Sequence, residues 1–101
     1  MTEGSNERDY SLDIRGRRYR VRFVDARRLP DCFGDADSPS KTSHRQIRVL
    51  RGLEPVTRAG VLTHEVLHAC QWDLDEDVVD EIAQCVVTAL RSARLLAAEE
   101  E

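Results

Sequence analysis

Cysteine is scarce here, and Cys32, Cys70 and Cys85 form no CxxC pair. Three scattered cysteines argue against both a disulfide framework and a cysteine-based zinc site. Aromatic residues make up only 5% of the chain, so a core has to be assembled mainly from Val, Leu, Ile and Ala. No apolar run approaches the roughly 20 residues that a membrane-spanning helix needs. The opening MTEGSNERDY lacks the apolar segment of a secretory signal, and a cytoplasmic location is the expectation. A chain of 101 residues has room for one domain and one modest core, which a bound metal would reinforce.

What is present fits a folded domain. Hydrophobic residues account for 41% and charged residues for 34%, outside the disordered range. The net charge of −4 is unevenly spread. Arg15, Arg17, Arg18, Arg20, Arg22, Arg27 and Arg28 cluster with Asp25 as the one acid among them, while acids gather at Asp73–Glu81 and at Glu99, Glu100 and Glu101. The overall sign argues against a dedicated nucleic-acid binder. A phosphate or acidic ligand on Arg18, Arg20 and Arg22 is the weaker reading, and a solvated strand face the stronger.

Residues 1–9 read as a disordered lead-in, 10–98 as a single domain and 99–101 as an acidic tail. Tyr10–Ile14 and Arg18–Val24 flank a turn at Arg15-Gly16-Arg17. Tyr19, Val21 and Phe23 alternate with Arg18, Arg20 and Arg22, so one face of that strand is apolar and the other cationic. Asp31–Ser43 has loop composition. Gln46–Leu50 reads as a third strand, with Ile47 and Val49 on one face. Pro55 suits the first position of a helix reaching about Trp72, whose apolar side gathers Val56, Ala59, Leu62, Val66, Leu67 and Cys70. Asp75 is placed to cap a second helix to about Ala98, with an apolar stripe of Val78, Val79, Ile82, Val86, Ala89, Leu90 and Ala93. The short turn between them makes the helices antiparallel neighbours. The expected class is α+β: a small antiparallel sheet of about three strands packed on two antiparallel helices.

The chemistry is concentrated in His64-Glu65-Val66-Leu67-His68, an HExxH motif in the middle of the first helix. Positions i and i+4 share a helix face one turn apart, so two imidazoles can hold one zinc ion. Glu65 stands beside them, where it can take a proton from the activated water and pass it to a leaving amine. His64 and His68 fall opposite Leu62, Val66 and Cys70, which removes them from the core. Gly60 shares the histidine face and costs the helix roughly 1 kcal/mol relative to Ala, a cost that makes sense if a backbone or substrate comes close.

A catalytic zinc normally has three protein ligands, and no histidine follows His68. The third must be acidic, and Asp73, Asp75, Glu76, Asp77, Asp80 and Glu81 are brought back towards His68 by the antiparallel turn. Glu76-x-x-x-Asp80 resembles the Glu-x-x-x-Asp element of gluzincins such as thermolysin. Glu76-x-x-Val79-x-x-Ile82-Ala83 resembles the second-helix pattern of ImmA/IrrE-type metallopeptidases. The stretch LTHEVLHACQWDLDEDVVDEIA is similar to small HExxH proteins of bacteriophage and bacteria, over the second half of the chain. The resemblance implies a pared-down zincin in which Glu76 binds zinc and Asp80 hydrogen-bonds a ligating histidine. Only seven residues separate His68 from Glu76, so Asp80 and Glu81 stay open as alternative ligands.

His44, Tyr10 and Tyr19 have chemistry suited to steadying an oxyanion, though a surface or packing role is the plainer reading for each. Trp72 is expected to pack at the helix end, and Cys70 and Cys85 between the helices; Cys32 has no assignment. The functional expectation is a zinc-dependent peptidase acting on a protein or peptide. The alternative is a zinc-stabilised interaction module, phage-encoded by the same resemblance, that does not catalyse.

Overall fold

A computed structural model describes residues 7–96. Most of the expected lead-in, the end of the second helix as read from the sequence, and the acidic tail lie outside the described residues. Within the lead-in, Glu7 is held in place. Its carboxylate accepts from Gly52 N at 2.7 Å and lies 3.8 Å from Arg51 and 3.7 Å from Arg58. These partners are remote in sequence and tie Glu7, the first described residue, to the body of the domain.

The elements are β1 (Tyr10–Ile14), β2 (Arg17–Val24), a 3-10 turn at Ala26–Arg28, β3 (Gly34–Ala36), β4 (Gln46–Leu50), α1 (Pro55–Cys70) and α2 (Glu76–Ser92). The class is α+β, as expected. The β1–β2 turn places Arg15 and Gly16 at φ 52° and 83°, the paired positive values that match strand twist in a two-residue hairpin.

The sheet departs from expectation in strand number and in direction. Its order is β1-β2-β4-β3, and β2 pairs with β4 in parallel while the other pairs are antiparallel. The additional strand, β3, lies inside the segment whose composition reads as loop. It forms the outer edge and turns the chain so that β4 re-enters alongside β2.

Period-two patterning sorts the sheet's faces. Tyr19, Val21, Ile47 and Val49 are fully buried, each worth about 1.5–3 kcal/mol of transfer free energy. Val61, Leu62, Val66, Ala69 and Cys70 of α1 pack onto this face. The opposite face is an ion-pair ladder: Arg18 with Asp13 at 3.0 Å, and Arg20 and Arg22 with Asp9 at 3.9 and 3.5 Å. Each of the three arginines thus has a carboxylate neighbour, which weakens the case for a phosphate-binding face.

The helices are not both packed on the sheet. α1 contacts the sheet and α2 contacts chiefly α1, giving the layers sheet, α1, α2. Val79 and Ala83 supply the buried side of α2, whereas Val78, Cys85, Val86 and Ala89 are exposed. Cys85 therefore does not pack between the helices, because it lies on the side turned away from α1; Cys70 does pack against the core. α2 ends at Ser92, short of Ala98. Leu95 N donates to Leu90 O at 2.8 Å and Arg94 N to Arg91 O at 3.0 Å, with Arg94 at φ 61°. This is a Schellman ending with arginine where glycine is usual, so the glycine signal for a stop was missing.

A polar cluster fastens β3 and the loop behind it. Arg48 donates to Asp35 at 2.6 Å and to Asp37 at 3.0 Å. Asp37 also accepts from Gln46 N at 2.9 Å and Lys41 Nζ at 3.1 Å, and its carbonyl accepts from Tyr19 at 3.1 Å. Burial alone would raise the Asp37 carboxyl, but the bonds from Arg48, Gln46 and Lys41 outweigh it and hold the group below its ordinary value. A depressed folded pKa stabilises above the unfolded value, near 3.9, and that contribution is lost as pH falls through the folded one. Asp37→Ala should cost about 1–3 kcal/mol near neutrality. In urea unfolding series, the gap between wild type and variant should narrow as the pH falls below the ordinary aspartate range; a gap constant with pH would be the contrary result.

Candidate metal centre

Helix geometry places His64 and His68 one turn apart, with ring centroids 4.8 Å from each other. α2 supplies the other half. Gly60 lies near Val87, His64 meets Asp80, and His68 meets Glu76; the descending order along α2 shows the antiparallel pairing. Glu76 sits in the first turn of α2, where a carboxylate is favoured by the helix dipole. Its Oε2 is 2.9 Å from His64 Nε2 and its Oε1 is 3.0 Å from His68 Nε2. Asp80, one turn later, stands 3.0 Å from His64 Nδ1.

His64, His68 and Glu76 form a group that could hold a metal ion, with ligand atoms within 4.8 Å of one another. The donor chemistry tests the fit. Both nitrogens of His64 face carboxylate oxygens, yet a neutral imidazole carries one N–H. With the Nδ1–H donated to Asp80, Nε2 keeps a lone pair aimed at the Glu76 carboxylate. A lone pair and a carboxylate at 2.9 Å need a cation between them, either a further proton or a metal ion. Tetrahedral zinc ligands at about 2.0–2.1 Å stand roughly 3.3 Å apart, so the two histidine–carboxylate spacings would open by a few tenths of an ångström, while the widest donor pair, now within 4.8 Å, would draw closer. The exposed Glu76 side chain has freedom to make that adjustment.

Of the sequence candidates, the structure brings together His64, Glu65, His68, Glu76 and Asp80. Asp80 occupies the outer place on Nδ1, and Glu81 is exposed and lines neither cavity beside the site. His44 is on an exposed loop before β4, Tyr10 is exposed on β1 at the far edge of the sheet, and Tyr19 is in the core. None of the three lines the cavities.

Glu65 is 8% exposed and points under β3. Among the described residues its carboxylate makes no hydrogen bond or ion pair. Burial pushes the carboxyl up to about 7; His64 acts against that rise, and Asp35 and Glu76 add to it. A buried polar group without a partner costs stability, and such groups gather at sites of function.

Two further features escape a reading of the sequence. Gly34 lets the edge strand approach the motif: a Cβ there would lie 2.7 Å from Val61 Cγ1, 3.0 Å from Arg48 O and 3.3 Å from Glu65 Cγ. Trp72 is 47% exposed beyond the end of α1, edge-on to His68 at 6.3 Å, and lines the cavity over the histidines instead of closing the helix end. The Gly-Asp-Ala run of β3 carries no alternation to announce it, and a lone Trp after a helix looks like packing.

Two cavities flank the site. A groove of about 820 Å³ runs between β3, α1 and α2, and a cavity of about 420 Å³ lies between β3, the histidines and Trp72. Gly34, His64, Glu65 and Glu76 line both. Gly60 floors the larger groove, and a Cβ there would lie 3.7 Å from Val87 Cγ2, an ordinary contact. No backbone needs Gly60 in order to pass, so its effect is to leave the groove open.

No protein-family model, curated protein or solved structure matches the chain. No helix of the described residues is long and apolar enough to cross a membrane.

Two measurements check this geometry. Asp80→Asn should weaken divalent-metal affinity by about 10–100-fold in a competition titration, and unchanged affinity would remove its orienting role. Gly34→Ala should destabilise by about 1–3 kcal/mol through overpacking, read by chemical denaturation; a neutral substitution would mean that β3 stands off α1.

Proposed function

We propose that this protein is a zinc-dependent peptidase in which His64, His68 and Glu76 hold the ion and Glu65 moves the protons. The observation that carries the proposal is the pairing of a three-donor cluster with a buried, unpartnered carboxylate at the junction of two cavities. When bound, zinc supplies Lewis acidity, which polarises a carbonyl and makes water easier to deprotonate.

The chain's own residues account for the remainder. Asp80 accepts from His64 Nδ1, fixing the tautomer that leaves Nε2 free as a donor atom. Glu65 accepts the proton released as water attacks the scissile carbonyl and returns it to the departing amine. Its burial beneath Gly34 keeps bulk water from competing for that proton. β3 has one side on β4 and its other edge unpaired among the described residues, so an extended segment can lie along it and present its carbonyl to Glu65.

The alternative of a zinc-stabilised, non-catalytic module has less support. Structural zinc sites are closed by four protein ligands, whereas three with an open position is the catalytic arrangement, and three donors converge here among the described residues. Zinc itself, rather than another divalent ion, is favoured by two imidazoles and one carboxylate.

Glu65→Gln should retain one equivalent of zinc by elemental analysis and lower peptide turnover by at least about 10²–10⁴-fold. A Glu65→Gln protein as active as wild type would refute the role. Wild-type protein that binds zinc yet cleaves nothing in a broad peptide screen would refute the function.

A further inference from the structure

The groove on the Gly60 side of the site differs from the cavity over the histidines. Phe33, Val56, Gly60, Val61, Ala83 and Val87 give it an apolar lining. Its volume of about 820 Å³ falls within the range of clefts that enclose ligands. Asp31, Glu65, Glu76 and Asp80 are its acidic lining residues, and no lysine or arginine lines either cavity. Asp80 is engaged by His64, and Glu76 by both histidines. Asp31 is exposed and in no ion pair among the described residues. The groove is continuous with the metal cluster through His64 and Glu65, and the buried, unpartnered Glu65 side chain lines it.

We propose that the groove takes a bulky apolar side chain of a cationic polypeptide, with a neighbouring lysine or arginine held at Asp31. The inference rests on the peptidase reading and narrows it to a substrate class. An apolar lining binds by area removed from water and discriminates by shape. The absence of a side chain at Gly60 leaves depth for a large residue beside Val87. The exposed Asp31 supplies the sign of charge that a basic neighbour satisfies and an acidic one violates, the usual route to specificity and faster encounter.

The test uses four labelled peptides that combine Leu or Ala at one position with Arg or Glu next to it. Each is titrated by fluorescence anisotropy against zinc-loaded Glu65→Gln protein and against metal-free wild type, and each is offered to zinc-loaded wild type for cleavage. The Leu-Arg peptide should bind at least about tenfold more tightly than Ala-Glu, with a margin that shrinks as salt rises. Asp31→Asn should erase the Arg part of the preference, and Gly60→Met the Leu part, at unchanged zinc content. Equal binding of all four peptides, binding of none, or a preference indifferent to both substitutions would overturn the proposal. Preference without cleavage would uphold the groove and sink the peptidase reading. Cleavage without preference would do the reverse.

Discussion

The Glu76 carboxylate reaches the Nε2 atoms of both motif histidines, and the arrangement of the site follows from that contact. It requires α2 to turn back on α1 across the short connector Gln71–Asp75, and to start with its acids facing the histidines. Once Glu76 is fixed, helical periodicity delivers Asp80 to the other nitrogen of His64. One carboxylate completes the candidate three-donor group and the next meets its outer nitrogen, from a single turn of helix.

α1 is the middle layer, and its sides have separate duties. Val61, Leu62, Val66 and Ala69 face the sheet, His64 and Gly60 face α2, and Glu65 lies between, beneath the edge strand. That intermediate position explains how a carboxylate can be buried without joining the core or meeting a partner. The fold tolerates it because Gly34 brings β3 over the side chain as backbone alone, with no side chain to displace it. The Arg48–Asp35–Asp37 cluster holds β3 there.

Much of this was legible in the residues. Alternation in β2, glycine in the first hairpin, Pro55 at the head of α1 and the motif spacing each carry a local physical signal, and each element lies where its signal puts it. The acidic cluster at the head of α2 was legible, but within it Glu76 and Asp80 were singled out by resemblance to the gluzincin Glu-x-x-x-Asp element, with Asp80 and Glu81 left open as ligands. β3 was hidden because three residues at an edge, held by side-chain hydrogen bonds from elsewhere, need no apolar alternation. The parallel β2–β4 pairing was hidden because it depends on that strand. The end of α2 gave no warning, since arginine replaces the usual glycine at its left-handed residue. The exposed Val78 and Val86 show that an apolar stripe can be regular without being covered.

The layer order has a mechanical corollary. α2 touches chiefly α1, so it is the outermost leaf of the described residues, joined to α1 through Gln71–Asp75. Its attachment relies on Val79, Ala83 and the histidine–carboxylate contacts. An ion gripped from both leaves would therefore act as a clasp. Its departure would loosen the outer leaf long before the sheet yields, so amide exchange along α2 would register occupancy from a distance.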